Sequence, residues 1–277
     1  MVISLSFQNF FSRGQNLKQF FFFFITFLTC WNLEFIFGVS KNYSKWKHLI
    51  LNSFFILPAF FVQLGISFLF IVVLKYENFN HLGLINLVGI KSQIWQTIFT
   101  FVLLDLGYWI YHFGMHKFNL TWRFHAVHHS DKVMDVSTSL REHPIETFIR
   151  LSFYMIIVWV LGPAIWIVTF HQFIQIVSKI IVHSNWRLPD KMDKYISYLF
   201  LTPNMHHVHH HYLQPYTDSN YGDLLSIWDR MFKTFYSLPK EKVVFGLDVD
   251  AFKSQSLDTM KFPGLLKVPF SDKKLSK

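Results

Sequence analysis

As far as Val182, long apolar runs alternate with short polar intervals. Residues 20–38 are apolar apart from Thr26, Thr29, Asn32 and Glu34, and they open on consecutive Phe. This run predicts an inserting helix. A signal peptide fits less well, because Glu34 interrupts the run and no small-residue cleavage site follows. Residues 49–74 form a second run, long enough to cross about 30 Å of hydrocarbon with some tilt. Residues 94–113 form a third, which ends on polar groups. Residues 148–182 form a fourth, with the turn signal Gly162-Pro163 near its middle. At 1.5 Å per residue the fourth run supplies about 52 Å of helix, whereas two full crossings need about 60 Å. It predicts a tapered hairpin. A single straight span is the alternative, and it would put His183 across the membrane from His125.

Beyond Val182 no run is long enough to span. Residues 188–201 set Lys191, Asp193 and Lys194 against Met192, Ile196, Leu199 and Phe200, the spacing of a helix lying on a membrane surface. The expected fold is an all-α integral membrane bundle. It has about four membrane segments, including the hairpin, beneath a cytoplasmic His-rich helical cap. The expected organisation is an N-terminal tail (1–18), a membrane catalytic domain (19–236) and a loosely packed polar C-terminal tail (237–277).

Composition narrows the class. Hydrophobic residues make up 52% and charged residues 16%, the latter against about 25% in soluble domains. Mean hydropathy is +0.28. This excludes a disordered chain and most soluble enzymes. The net charge of +9 comes from residues flanking the apolar runs, which points to anionic lipid headgroups and not to nucleic acid. If the His-bearing segments share one side, Lys41, Lys117, Arg123, Lys132 and most other cations lie there, with Arg13, Lys18, Lys75 and Lys91 opposite. The positive-inside rule then makes that side cytoplasmic. Cys30 is the single cysteine, so no disulfide framework exists.

The chemistry is in the histidines. Thirteen of the 15 lie between His112 and His211. His112 and His116 stand one turn apart on one helix face, so both imidazoles can reach one metal ion. Asp105 and Tyr108 project from roughly the same face, and Asp105 is expected to accept an imidazole N–H. His125, His128 and His129 form a second cluster, whose adjacent His pair diverges enough to serve two ions. His206, His209 and His210 have the same spacing, as does the overlapping register His207, His210, His211.

The order of these clusters resembles the fatty acid hydroxylase and sterol desaturase superfamily of membrane-bound non-haem di-iron oxygenases. The resemblance covers residues 100–236. It takes in Asp105 with Tyr108-Trp109, the segment from Trp122 to Ser130, Arg141-Glu142-His143-Pro144-Ile145-Glu146, His183-Ser184-Asn185-Trp186 and Thr202-Pro203-Asn204-Met205-His206. Asn220-Tyr221-Gly222 and residues 227–232 complete it. It implies the register His206, His209, His210. The implied metal ligands are then His112, His116, His125, His128, His129, His183, His206, His209 and His210, with Asp105, His143, His207 and Asn220 supporting them. His207 stands where relatives commonly carry Arg, and is expected to do a basic residue's job. Lys233 stands where they usually carry Gly, which puts a local turn in question. His171 is expected to be a satisfied buried histidine, and His48 and His81 ordinary interface residues.

Eight or nine His exceed one tetrahedral zinc site, so two metals are the simplest accounting. The resemblance implies two iron ions (zinc is another occupant such a site accepts), O2 as co-substrate and a lipid that is hydroxylated or desaturated. The chain has no Gly-rich phosphate loop and no Cys set for an iron–sulfur centre. Electrons are therefore expected from a separate electron-transfer protein or reductase, with an acidic carrier suited to the basic face. The alternative is a membrane metal-binding protein or transporter without oxygenase activity. A transporter predicts ionisable residues deep in several spans, and a structural zinc site predicts four ligands.

Overall fold

The punctuation of the apolar runs sets the helix boundaries. The computed structural model describes residues 15–80, 83–247 and 261–270, so His81 lies outside the described residues. Helix α1 is Gln15–Phe37. Helices α2 (Lys45–Ser53) and α3 (Ile56–Asn80) follow almost without a break, then the short α4 (Leu84–Leu87). Helix α5 is Gln93–Lys117 and α6 is Asn119–His129. Helices α7 (Pro144–Leu161) and α8 (Ile165–His183) are the limbs of the expected hairpin. Gly162 separates them at φ 62°, a left-handed conformation in which its N–H caps Val158 O. Glycine has no Cβ to oppose that conformation. Four helical segments are long and apolar enough to cross a membrane: Lys45–Val73, Gln93–Lys117, Pro144–Leu161 and Ile165–His183. Phe21–Phe37 is a shorter apolar helix. No strand occurs among the described residues.

Helix α3 packs on α7, α5 packs on α7 and α8, and α1 packs on α8. At the end of the bundle away from the histidines, Gly83 lies against the backbone of Gly162 so closely that a Cβ would collide. At the other end Glu34 ties α1 to the cap. It is buried, pairs with Lys45 at 2.9 Å, and accepts N–H groups of Val136 and Asn185, each at 2.7 Å. The residue that interrupts the first apolar run is thus its anchor, with a buried charge that is both paired and hydrogen-bonded.

The cap comprises α6, a 3-10 turn at Val136–Leu140, α9 (Asp190–Ile196), α10 (Pro203–His209) and α11 (Ile227–Met231). Helix α9 buries no residue; its Tyr195 is exposed, as are Leu199 and Phe200 just beyond it. Two expectations need correction. The described part of the C-terminal segment is not loosely packed: Leu247, Leu265 and Val268 join Phe55, Trp122 and Val127 in one buried cluster, with Leu265 in helix α12 (Phe262–Lys267). A few apolar residues spaced among lysines suffice to dock it. His48 is not an ordinary interface residue either. Its Nδ1 lies 2.8 Å from Asp135 and its Nε2 2.8 Å from Asp131, so it bridges two buried carboxylates.

Candidate metal centre

Four helices bring nine imidazoles together at the cap end of the bundle. Helix α5 contributes His112 and His116, α6 His125, His128 and His129, and the last residue of α8 is His183. Helix α10 contributes His206 and His209, and His210 follows at its C-cap. Helix α10 starts where its sequence dictates. Pro203 occupies the first turn, where no N–H is needed, and the Thr202 hydroxyl accepts Met205 N–H at 3.2 Å.

The nine separate into two groups, each with its ligand atoms within 4.8 Å of one another. His112, His116, His125, His129 and His209 form one, and His128, His183, His206 and His210 the other. Both can hold a metal ion. Adjacent pairs divide as the helical divergence requires: His128 and His129 go to different groups, as do His209 and His210.

The hydrogen bonds fix which ring nitrogens face inward. His183 Nδ1–H donates to Lys179 O at 2.7 Å, and His128 Nδ1–H to Arg141 O at 3.0 Å. A carbonyl only accepts, so both rings carry the proton on Nδ1 and a bare lone pair on Nε2. Those two Nε2 atoms face each other at 3.0 Å. His206 Nε2 is also 3.0 Å from His183 Nε2. In the other group His112 Nδ1–H donates to Tyr221 O (2.9 Å), His125 Nδ1–H to Glu146 Oε1 (2.6 Å), and their Nε2 atoms are 3.1 Å apart. Opposed lone pairs repel unless a cation lies between them. Two nitrogens bound at about 2.1 Å and at right angles stand about 3 Å apart, which is the spacing found. The Nε2 atoms of His116, His129, His209 and His210 are buried with no hydrogen-bond partner among the described residues. The donor set fits metal ions.

Burial, followed by the charge of neighbouring imidazoles, holds His128, His129, His206 and His210 well below the usual histidine range. Burial likewise brings His209 down to about 3. These rings are neutral at physiological pH, the form that binds metal.

A fatty acid hydroxylase family profile matches residues 97–234, the span that carries every one of these groups. The chain belongs to the fatty acid hydroxylase and sterol desaturase superfamily. Among relatives of this superfamily member, the alkylglycerol monooxygenase of Danio rerio is 31% identical over 69% of this chain and 41% of its own length. The human alkylglycerol monooxygenase is 30% identical over 62% of this chain and 36% of its own. The ornithine lipid hydroxylase OlsE of Rhizobium tropici is 30% identical over 52% and 43% respectively. The chain thus spans roughly two fifths or less of the curated relatives it matches. No solved structure matches it significantly.

The expected supporting residues of this superfamily member are placed differently from one another. Asn220 lies at φ 50° and is fixed by Met205 O, Tyr236 O and Tyr236 N. Its neighbours supply the acceptors, Ser219 O for His209 Nδ1–H at 2.6 Å and Tyr221 O for His112. Asn220 therefore sets the backbone that orients two imidazoles. Asp105 does not accept an imidazole N–H. It takes Trp228 Nε1–H at 2.7 Å and Leu225 N–H at 3.3 Å, because the closing segment folds back over α5. His143 touches neither group. It caps α7, accepting Ile145 N–H at 3.1 Å, and donates to Leu266 O at 3.3 Å. His207 does not act as a base-rich side chain would: burial lowers it to about 3, and it donates to Ser184 O at 3.0 Å.

The carboxylates that meet the clustered imidazoles are Glu146 on His125 and Asp218, which lies 3.3 Å from His116 Nδ1 and 2.8 Å from Lys117 Nζ. Glu146 lies in the family-like segment that begins at Arg141. Asp218 carries no motif signal. His171 sits as expected, buried beside Tyr154 with the hydroxyl 3.3 Å from Nδ1. Lys233 keeps the turn despite its side chain, at φ 59°.

Proposed function

We propose that this protein is a membrane-bound lipid hydroxylase that holds two iron ions, one in each imidazole group, and uses O2. The observation that carries the proposal is the pair of His groups in which the Nε2 atoms of His112 and His125, and of His128 and His183, oppose each other at 3.0–3.1 Å while each ring's proton is held on Nδ1. Bound there, the metal pair supplies O2 reduction coupled to cleavage of an aliphatic C–H bond. In the balance, one oxygen atom enters the product and the other leaves as water, with two electrons and two protons from an external donor. The chain's own residues hold and orient. Carbonyls of Arg141, Lys179, Ser219 and Tyr221 keep the proton on Nδ1 of four imidazoles, and Glu146 does so for His125. Such partners raise ligand basicity and fix ring orientation. Burial of the imidazoles keeps bulk water from protonating them.

Several features support a lipid substrate. The groups lie at the ends of α5 and α8, apolar helices long enough to span. The relatives named above are lipid hydroxylases or act on an alkylglycerol by name, which favours hydroxylation over desaturation. We place the His-bearing end on the cytoplasmic side, where an acidic electron carrier meets the basic face.

The test is to purify the membrane protein with iron, supply O2, a reductase system and candidate lipids, and follow product mass. A gain of one oxygen, with two metal ions per chain, is expected. Loss of two hydrogens would make the reaction a desaturation. One ion or fewer in active protein sinks the two-metal assignment.

A further inference from the structure

The segment that carries α11 does not lie on top of the bundle; it runs down its side. Asp105 on α5 accepts Trp228 Nε1–H at 2.7 Å and Leu225 N–H at 3.3 Å. Trp109, one turn further along α5, donates to Asp229 Oδ1 at 3.0 Å, and its ring stacks on Phe232 with centroids 4.5 Å apart. Helix α5 begins at Gln93, at the end of the bundle away from the histidines, and Asp105 and Trp109 stand 12 and 16 residues past that start. At 1.5 Å per residue they lie about 18 and 24 Å up the helix, within a hydrocarbon layer of about 30 Å, and tilt only shortens these heights. Helix α8 agrees: Ser178, five residues before its end at His183, donates its hydroxyl to Asp223 O at 2.7 Å.

Residues 197–201 are carried down with α11. Ser226 donates its hydroxyl to Ser197 O at 2.6 Å and its N–H to Leu199 O at 3.0 Å, and Leu201 N–H donates to Leu224 O at 2.8 Å. Irregular backbone is tolerated at membrane depth only where the protein itself satisfies it. Here the N–H groups of residues 197–201 and of Leu225 and Ser226 all have acceptors within the protein.

The outer surface of this ledge is apolar. Trp228 and Asp229 are buried towards α5, whereas Ile227 and Met231, one turn apart on the other side of α11, are exposed, as is Phe232. Tyr198, Leu199 and Phe200 are exposed beside them. Soluble monomers rarely leave such a contiguous apolar patch uncovered. The charges of α11 are engaged inside: Asp229 also accepts the N–H groups of Tyr221 and Gly222, and Arg230 donates to Ser197 O at 2.9 Å with its guanidinium over the rings of Tyr198 and Phe235. Exposed cations come at the margins, Lys191 and Lys194 beside Tyr195 on α9, and Lys233 after Phe232. Lysine and tyrosine bordering apolar residues is the pattern of a membrane–water boundary, where long lysine stems carry the charge out to the headgroups.

We infer that residues 197–201 and α11 form a ledge embedded in the membrane leaflet on the histidine side, with Leu199, Phe200, Ile227, Met231 and Phe232 against lipid acyl chains. The inference needs only the membrane path of α5 and not the hydroxylase reading. It bears on that reading in one respect. His112 stands about 28 Å up the same helix, at the polar boundary of that leaflet, so a lipid reaches the imidazole groups without leaving the membrane.

The experiment uses the full chain with Cys30→Ser, reconstituted in vesicles of phosphatidylcholine and phosphatidylglycerol. Single cysteines at Phe200→Cys and Met231→Cys, and at the exposed Lys132→Cys and Lys240→Cys as controls, carry an environment-sensitive fluorophore. Metal content equal to that of the unlabelled protein identifies correctly folded samples. Brominated acyl chains should quench positions 200 and 231 several-fold more than positions 132 and 240, and aqueous iodide should show the opposite order. Iodide quenching at 200 and 231 as strong as at 240 overturns the ledge. Shielding of both positions from bromine and iodide alike also overturns it, and would show that protein, such as a second copy of this chain, covers the patch. Quenching by bromolipid in a protein without oxygenase activity would leave the ledge standing and remove the hydroxylase reading. Lipid oxygenation by a protein whose ledge is open to iodide would do the reverse.

Discussion

Glu146 Oε1 lies 2.6 Å from His125 Nδ1, the shortest carboxylate–imidazole contact among the described residues. The two residues come from different helices, α6 and α7, and both are buried. The contact orients the ring that faces His112 Nε2 across 3.1 Å. Glu146→Ala should weaken metal retention by about 10- to 100-fold, the usual effect of losing such a partner. Glu146→Gln keeps an acceptor without the charge and should fall between. Metal content after dialysis against a graded chelator checks this; a wild-type retention curve for Glu146→Ala would contradict it.

The two imidazole groups share no residue. His128→Ala should therefore lower metal content from two ions toward one, and so should His209→Ala, while the double variant should approach none. The protein should still reach the membrane, because its apolar helices are untouched. His171→Ala is the control: it lies in neither group and should keep both ions. Metal analysis of the four proteins decides the matter, and complete loss in either single variant would show one shared site instead of two.

The grouping of the histidines was legible in the sequence because its information is local. Spacings of one helical turn put His112 beside His116, and His125 beside His128 and His129, whatever the rest of the chain does. The hairpin was legible because Gly162 and Pro163 break an otherwise continuous apolar run. What escaped is nonlocal. Asp218 meets His116 across 102 positions, Asp105 meets Trp228 across 123, and His48 meets Asp131 across 83. No periodicity connects such pairs. The carbonyl acceptors of Arg141, Lys179, Ser219 and Tyr221 were invisible for another reason: a backbone oxygen has no side-chain signature.

Lys233 sits at φ 59°, where a Cβ crowds the backbone and glycine does not. Its N–H contacts Arg230 O at 3.4 Å, closing the turn after α11. Lys233→Gly should raise stability by about 0.5–1 kcal/mol, the left-handed cost of roughly 1–2 kcal/mol less the larger unfolded-chain entropy of glycine. A thermal melt that rises by a degree or more with metal content unchanged is the expected result; a lower midpoint would contradict it.

Stability should fall as pH drops below about 6.5. Burial brings His207 down to about 3, so the folded chain leaves it unprotonated while the unfolded chain, titrating near 6.5, takes the proton. Between those values the unfolded state binds more protons, and acid favours unfolding by up to about 1.4 kcal/mol per pH unit for the group. His207 belongs to neither imidazole group, so it can be removed without changing their ligands. His207→Gln keeps a donor for Ser184 O and should flatten the pH dependence of the melt between pH 7 and 5. Parallel curves for the variant and the wild type would contradict the assignment.

The path of the chain through the membrane follows from where its ends must meet. Metal–nitrogen bonds are about 2 Å long, whereas one crossing separates its two ends by about 30 Å. His128 and His183 are joined by α7 and α8, yet their Nε2 atoms are 3.0 Å apart. The chain must leave the cap along α7 and return along α8. Single cysteines therefore report the topology, once Cys30, which is buried, has been changed to Ser. Ser139 and Ser184 are buried and unsuitable, but Lys132 and Lys191 are exposed, one on each side of the hairpin in sequence, and Gly89 lies exposed in the connection at the far end. Lys132→Cys and Lys191→Cys should react with an impermeant thiol reagent from one side of sealed vesicles, and Gly89→Cys from the other. Labelling of positions 132 and 191 from opposite sides would require a single crossing between them, and His128 and His183 could not then share a site.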